Sequence, residues 1–408
     1  MCGKAVKSGS PTRFALSLAL VTLLAPVATD MYLASMPDIA RHLDVTYASV
    51  QLTLSVFLLA QGAGQLFFGP LIDRFGRRLP LLAGIAVFGL SSIWAGCSDT
   101  IGMLLVSRFV QGLSGALLLV IGFSSVGDVA RGTAAAGIFA VLMTIEGLAP
   151  IFAPIAGGFL DEHFGWRVVL WASSVMAACA LLNSFINLKE TLPVEKRIPL
   201  NPGMIVRTYK RIGTDSAFLL PALALSGVFF YLFAYIAGGA YLYQTVYGLS
   251  PDTFGLVFGV TGGSVMLGAI ASGRLVKRIN VGSVAKTGIL LIIAGTVLAL
   301  LAYLTVGLAG IVAGFLIALF GLGISEPALV SLTMSSQKEA LGFTAALMGA
   351  LHLMLSSLST PISGYLLPIN PGYWFVFLIA SACVSMGIAA AASRAQAGSA
   401  KIKEKAYA

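Results

Sequence analysis

The stretch Gly69-Pro-Leu-Ile-Asp73-Arg74-Phe-Gly76-Arg77-Arg78 lies between two long apolar runs and is the strongest signal in the chain. Gly69 permits a neighbouring helix to approach closely, and Gly76 permits a tight turn. Asp73 can accept from a helix N-terminus or from an arginine, which favours one closed arrangement of the elements around it. An ordinary basic loop would explain Arg74, Arg77 and Arg78 but not the spaced glycines and the aspartate. The stretch therefore reads as a conformational latch between two membrane helices.

Working outward, apolar runs recur near residues 14–37, 48–70, 79–98, 101–127, 133–158, 167–188, 217–246, 252–275, 282–306, 308–333, 341–368 and 371–393. Each is long enough to cross a hydrocarbon core of ~30 Å. The 408 residues are 58% hydrophobic and 10% charged, against roughly 25% charged in a soluble domain. The runs are continuous rather than alternating, which argues against strands, and helices satisfy their own backbone groups in lipid. The first run follows Lys4, Lys7 and Arg13 but is too long for a signal peptide and lacks a small-x-small cleavage site, so it is expected to remain as a span.

A net charge of +9 would suit nucleic acid, but its distribution describes topology instead. Threading the spans with the N-terminus inside gathers Lys4, Lys7, Arg13, the arginines of the latch, Arg131, the basic residues of 189–211, Arg274, Lys277, Arg278, Lys286, Lys338 and the C-terminal lysines on one side. Only Arg41 and Arg167 fall on the other. Excess positive charge marks the cytoplasmic side, so both termini are expected there, and no nucleic-acid partner is expected.

Residues 189–216, KETLPVEKRIPLNPGMIVRTYKRIGTDS, are the one long polar interruption. They divide the chain into an N-terminal six-helix bundle (1–188), a cytoplasmic linker with a short amphipathic piece at the membrane surface, and a C-terminal six-helix bundle with a tail (217–408). The halves echo each other. Gly69-Pro-Leu-Ile-Asp73-Arg74 and Gly273-Arg-Leu-Val-Lys277-Arg278 end the second and eighth spans, 204 residues apart, as expected of an internal repeat. The expected fold class is an all-α membrane protein, about twelve transmembrane helices in two pseudo-symmetric six-helix bundles.

Further motifs place the chain more narrowly. The latch resembles the cytoplasmic loop signature of the major facilitator superfamily, G-x-L-x-D-R-x-G-R-R. Arg108-Phe-Val-Gln111-Gly112 resembles the R-x-x-Q-G motif of proton-coupled members. The run Gly147-Leu-Ala-Pro150-Ile-Phe-Ala-Pro154-Ile-Ala-Gly157-Gly158 resembles their antiporter motif, departing from it at Ala149-Pro150 and by the second proline, Pro154. Thr29-Asp30-Met31-Tyr32-Leu33 and Lys189-Glu190-Thr191-Leu192-Pro193 resemble runs of the bicyclomycin/chloramphenicol-resistance (Bcr/CflA) subfamily. The resemblance implies the major facilitator fold and a drug:proton antiporter of a bacterial inner membrane. It implies a small-molecule substrate, protons and the lipid bilayer as partners, and a monomer.

Charges inside the spans are costly and point to function by default. Asp30, Arg108, Glu146 and Glu326 lie there, with His352 as a neutral polar companion. At 1.5 Å per residue, Asp30 lies ~24 Å from the inner face and Arg108 and Glu146 ~20 Å. Asp30 and Arg108 are thus expected to pair, each offsetting the other's desolvation, either as a proton-linked switch or as a structural ion pair. Glu146 reads as a second proton site, a partner for a substrate amine, or a neutral hydrogen-bonded acid. Glu326 reads as snorkelling toward an inner vestibule, and His352 as a packed neutral histidine or a proton relay. Tyr32 and Tyr231 are expected to line a substrate cavity.

The cysteines, Cys2, Cys97, Cys179 and Cys383, form no metal or redox spacing, and no nucleophile–base set or phosphate loop occurs. No enzymatic activity, metal or cofactor is expected. The reading is a proton-coupled exporter of small molecules by alternating access. The alternative is an exporter of an endogenous metabolite such as a siderophore, nucleoside or amino-acid derivative.

Overall fold

The computed structural model describes residues 11–197, 199–337 and 340–407; Cys2, Lys4, Lys7 and Lys338 lie outside the described residues. Among these, eleven helices are long and apolar enough to cross a membrane, and the first span is a pair, Thr12–Thr22 and Leu24–His42, bent by 40°. The second to sixth spans are Tyr47–Phe75, Arg78–Gly96, Ile101–Val129, Thr133–Phe164 and Trp166–Asn187. The seventh to twelfth are Ser216–Val246, Pro251–Leu275, Val281–Thr305, Leu308–Ser335, Leu341–Ile369 and Pro371–Arg394. No strand occurs among the described residues.

Local chemistry sets the ends. Thr46 and Thr100 cap the second and fourth spans by accepting from the N–H groups of Ser49 and Met103. Gly76, at φ 89°, stops the second span in a conformation that disfavours other residues. The amphipathic piece of the linker is a helix, Pro202–Gly213, capped by Asn201, whose Oδ1 accepts from Met204 N–H at 3.1 Å. Chain order puts the loops after the second, fourth, eighth and tenth spans on the same side as this linker, here the linker side; the other is the far side.

Within the first half the second span packs on the fourth and the third on the sixth; within the second half the ninth and eighth pack on the tenth and the seventh on the twelfth. Two seams join the halves, fifth to eighth and second to eleventh. Along the first seam, Gly255, Gly259 and Gly262 recur at i, i+4 and i+7, one helix face. There the backbone lies against the carbonyls of Pro154, Ile151 and Pro150. Pro154 has no N–H to offer Pro150 O, and the Cα–H groups of Gly262 approach that carbonyl instead. Along the second seam, Gly364 meets Ala48 and Gln51, and Gly62 meets Ala350 and Leu353.

Both seams close on the far side and part on the linker side. A Cβ added at Gly69, Gly137, Gly147, Gly263 or Gly273 would meet nothing within 4 Å. The linker helix spans the parted side. Tyr209 Oη donates to Leu66 O of the second span at 3.1 Å while its ring lies edge-on to Phe343 of the eleventh, 5.1 Å between centroids. Ile212, fully buried, anchors the helix on Phe218 and Ala222.

Gly255→Ala is expected to destabilise this closed arrangement by about 1–3 kcal/mol, the usual cost of overpacking, because its Cβ would overlap the Pro154 carbonyl. Gly263→Ala, with open space around it, is expected to be neutral. Thermal unfolding of the two variants in detergent compares them directly.

Candidate functional site

The first half holds a buried polar layer centred on Arg108. This residue is fully buried, with its guanidinium between the rings of Tyr32 and Phe57, 4.5 Å and 4.3 Å from their centroids. Nη1 donates to Gln111 Oε1 at 2.5 Å, and Gln111 Nε2 donates to Ser92 Oγ at 2.7 Å. Tyr32 Oη shares a 2.7 Å hydrogen bond with Thr53 Oγ1. Two aromatic faces stabilise a desolvated cation by roughly 2 kcal/mol or more, so the cage offsets part of the cost of burial. Nε and Nη2 of Arg108 have no hydrogen-bond partner among the described residues.

The expected Asp30–Arg108 ion pair is not formed; the five ion pairs among the described residues do not include either side chain. Helix geometry explains the correction. Asp30 and Tyr32 share one helical segment, and residues two apart project roughly 200° from each other. Tyr32 takes the face toward Arg108, so Asp30 turns away. The fourth span also continues to Val129, which places Arg108 about 30 Å from its linker-side end, further than the apolar run suggested.

Both tyrosines expected to line the cavity are also corrected. Tyr32 is fully buried beneath Arg108, and Tyr231 is fully buried inside the second half, sharing a 2.7 Å hydrogen bond with Thr296 of the ninth span. Their phenol groups find partners within their own bundles, so neither faces open space. His352 is half-buried, stacked on Phe229 of the seventh span at 4.3 Å, with Nδ1 3.1 Å from Met348 O. Asp30 is 9% exposed, and Glu146 and Glu326 are half-buried. Glu146 faces Thr22 of the first span, and its Oε1 has no hydrogen-bond partner among the described residues.

At the linker-side surface the residues of the loop from Gly69 to Arg78 form a charged network with the first half and the start of the linker. Asp73 pairs with Arg77 at 2.8 Å, and Arg77 Nε pairs with Asp128 at 3.0 Å. Thr191 Oγ1 donates to the same Asp128 oxygen at 3.0 Å. Glu190 caps the third span: Oε1 accepts from Arg77 N–H at 2.9 Å and Oε2 from Arg78 N–H at 3.2 Å. Arg78 Nη2 donates to Phe185 O at 3.2 Å. Arg74 lies over the ring of its neighbour Phe75. Three of the antiporter-motif residues face the first seam, Gly158 backing onto Pro251 and Pro150 and Pro154 presenting their carbonyls to the eighth span, while Gly157 backs onto Met31 of the first span within its own half.

The profile of the Major Facilitator Superfamily matches residues 18–361. The chain belongs to this superfamily. It is 34% identical over 350 residues to "Uncharacterized MFS-type transporter YdgK" of Bacillus subtilis, covering 85% of this chain and 87% of that protein. It is 31% identical over 267 residues to the "Bicyclomycin resistance protein homolog" of Haemophilus influenzae, covering 65% and 67%. The Haemophilus relative agrees with the Bcr/CflA resemblance of the first span and of the run after the sixth. A bacterial homologue of the human lysosomal transporter Spinster, solved in an inward-facing, unoccupied conformation, superposes with a TM-score of 0.76 at 15% identity, over 95% of this chain and 98% of that one; the likeness is one of fold.

As a member of the superfamily, the chain supplies parts that its motifs alone did not disclose. Asp128 and Glu190 complete the loop network, and Tyr47, Gln51 and Gln244 bridge the two halves. The bridging side chains are uncharged, so a search for charges in apolar runs passes over them. The glycine seam of the eighth span was visible as F-G-L-V-F-G-V-T-G-G, a small-residue stripe of the kind that packs membrane helices.

Glu190 gives a pH signature. Partial burial opposes its ionisation, but the N–H groups of Arg77, Leu192 and Arg78, with Arg197 at 3.7 Å, outweigh it and hold the carboxyl below its usual 4.5. A depressed pKa stabilises the fold above the unfolded value, and this contribution is lost as pH falls through the folded one. Glu190→Gln is therefore expected to lower stability at neutral pH by roughly 0.3–1 kcal/mol, the worth of a charge at a helix N-terminus. The deficit should shrink below about pH 4.5, and thermal unfolding across pH 7.5 to 4 reads it.

Proposed function

We propose that this multi-pass membrane transporter exports small organic molecules from the cytoplasm of a bacterium, driven by inward proton flow, by alternating access as a monomer in the inner membrane. The observation that supports it best is a pair of seams closed on the far side and parted on the linker side. Three membrane-embedded carboxylates, Asp30, Glu146 and Glu326, also have no ion-pair partner among the described residues. An unpaired acid within a span exchanges a proton with water more readily than one locked to a cation. The chain divides at 1–188, 189–216 and 217–408, with the linker side and both termini cytoplasmic.

In this reading Asp30 is the principal proton carrier and Glu146 the second. Arg108 is a fixed cation whose aromatic cage orients the first span, and the loop from Gly69 to Arg78 acts as a latch between conformations. Glu326 and His352 belong to the substrate path of the second half. Export of drugs is supported by the Haemophilus relative and by "Multidrug resistance protein MdtL" of Escherichia coli, 31% identical over 182 residues, 46% of that protein.

Inverted membrane vesicles test the coupling. With an imposed proton gradient, the wild type is expected to accumulate bicyclomycin or another member of an antibiotic panel. Asp30→Asn should bind the same compound yet lose at least ~10-fold of gradient-driven uptake, because the proton step is removed and not the site. Unchanged gradient-driven uptake in Asp30→Asn would transfer the role to Glu146. Orientation is checked separately in a chain whose four cysteines are replaced by serine. Single cysteines at the exposed positions Asp99 and Thr305 are expected to react with an impermeant thiol reagent in intact cells, and those at Thr133 and Thr214 only after the cells are opened.

A further inference from the structure

Three spans break their helical hydrogen bonding where the halves meet. The first passes through a 3-10 turn at Leu33–Ser35, the seventh through a π segment at Tyr241–Val246, and the eleventh through a turn at Ser357 and Leu358. A helix break frees a backbone carbonyl, and a freed carbonyl in a span needs a donor. In each case the nearest side-chain donor comes from the opposite half. Ala34 O accepts from Gln244 Nε2 at 2.9 Å, and Ser357 O accepts from Ser55 Oγ at 2.6 Å.

The seventh span shows the logic most fully. In an unbroken helix Tyr241 N–H would bond Ala237 O, four residues back. Instead it turns to Gly238 O, three back. Ala237 O, with two lone pairs, accepts from Tyr47 Oη and from Gln51 Nε2, both at 2.8 Å. Tyr47 and Gln51 stand at i and i+4, one face of the second span, and the ring of Tyr47 lies 4.8 Å from that of Tyr241. On the far side of this contact is an open recess of about 790 Å³, bordered by Tyr47, Tyr241 and Gln244 together with Arg41, Asp44 and Glu162. The contact is the floor of that recess.

The geometry points to a far-side gate whose latch is the fork of Tyr47 and Gln51 on Ala237 O, with Gln244 on Ala34 O as its counterpart from the other half. The first and seventh spans are equivalent under the six-and-six repeat, so each half offers one freed carbonyl and receives side-chain donors from the other. Opening this side must strip both carbonyls of these donors and hand them to water. The latch thereby sets the ratio of the two conformations without touching substrate or proton carrier. This inference rests on the alternating-access reading.

Spin labels on cysteines at Asp99 and Thr305, which lie in opposite halves on the far side, report that ratio by distance distributions in lipid nanodiscs. Losing one net hydrogen bond is expected to raise the far-side-open population about five-fold, so Tyr47→Phe and Gln244→Leu should each lengthen the Asp99–Thr305 distance. Tyr231→Phe, which removes a similar bond inside the second half, should leave it unchanged. A distance that stays fixed in Tyr47→Phe and Gln244→Leu, or lengthens equally in Tyr231→Phe, overturns the latch. If the wild type itself never shows a second distance across pH 5 to 8, with or without substrate, the alternating-access reading fails first. A wild type with two distances whose ratio both variants leave untouched sinks the latch alone.

Discussion

A backbone carbonyl without a donor costs several kcal/mol in hydrocarbon, and much of this structure follows from where the chain accepts that risk. It interrupts three of its helices where one half meets the other. Each break becomes a receptor for a hydroxyl or amide of the opposite half, as Ala237 O does for Tyr47 and Gln51 and Ser357 O does for Ser55. The fifth and eighth spans solve the same problem differently. Pro154 leaves Pro150 O without its helical donor, and glycine at 262 lets the backbone close over it.

The helical membrane fold was legible because its signal is length and polarity summed over some twenty residues per span, and single errors average out. The geometry of the loop from Gly69 to Arg78 was legible for another reason: Gly76 needs a positive φ and Asp73 and Arg77 stand one turn apart, so the local sequence carries it. The Lys189–Pro193 run was recognised as a family string, but its work was not. Glu190 reaches back 113 residues to cap the third span, and nothing local in the run discloses which helix start it will find.

The buried charges mark the limit of depth arithmetic. Counting residues placed Asp30 and Arg108 in one layer, which is necessary for pairing but says nothing of azimuth. Asp30 and Tyr32 point roughly 200° apart, so the arginine receives an aromatic cage and an amide in place of a carboxylate. The arrangement fits the proposed proton coupling. A carboxylate freed from a guanidinium remains available to titrate, while the arginine, held by Gln111 and two rings, does not depend on that titration for its place. Tyr231 shows the converse: its hydroxyl satisfied by Thr296, an aromatic residue in a central span belongs to packing.

Under the proposed alternating access the far-side contact has to open in each cycle, and its make-up suits that need. Its dry portion is glycine against carbonyl, stabilised by dispersion and weak Cα–H contacts of perhaps 0.5–1 kcal/mol each. Its polar portion is a handful of neutral hydrogen bonds, each with a net worth of about 1 kcal/mol. No ion pair among the described residues crosses it. Moving a two-state equilibrium from one side to the other takes about 5.5 kcal/mol, so a contact of a few kcal/mol lies within reach of one protonation and one bound substrate. A buried cross-seam salt bridge would cost 3–5 kcal/mol to break with one partner stranded, and would hold the transporter in a single state. The strong charge network, at Asp73, Arg77, Asp128 and Glu190, ties the first half to the start of the linker and leaves the seams between the halves without it.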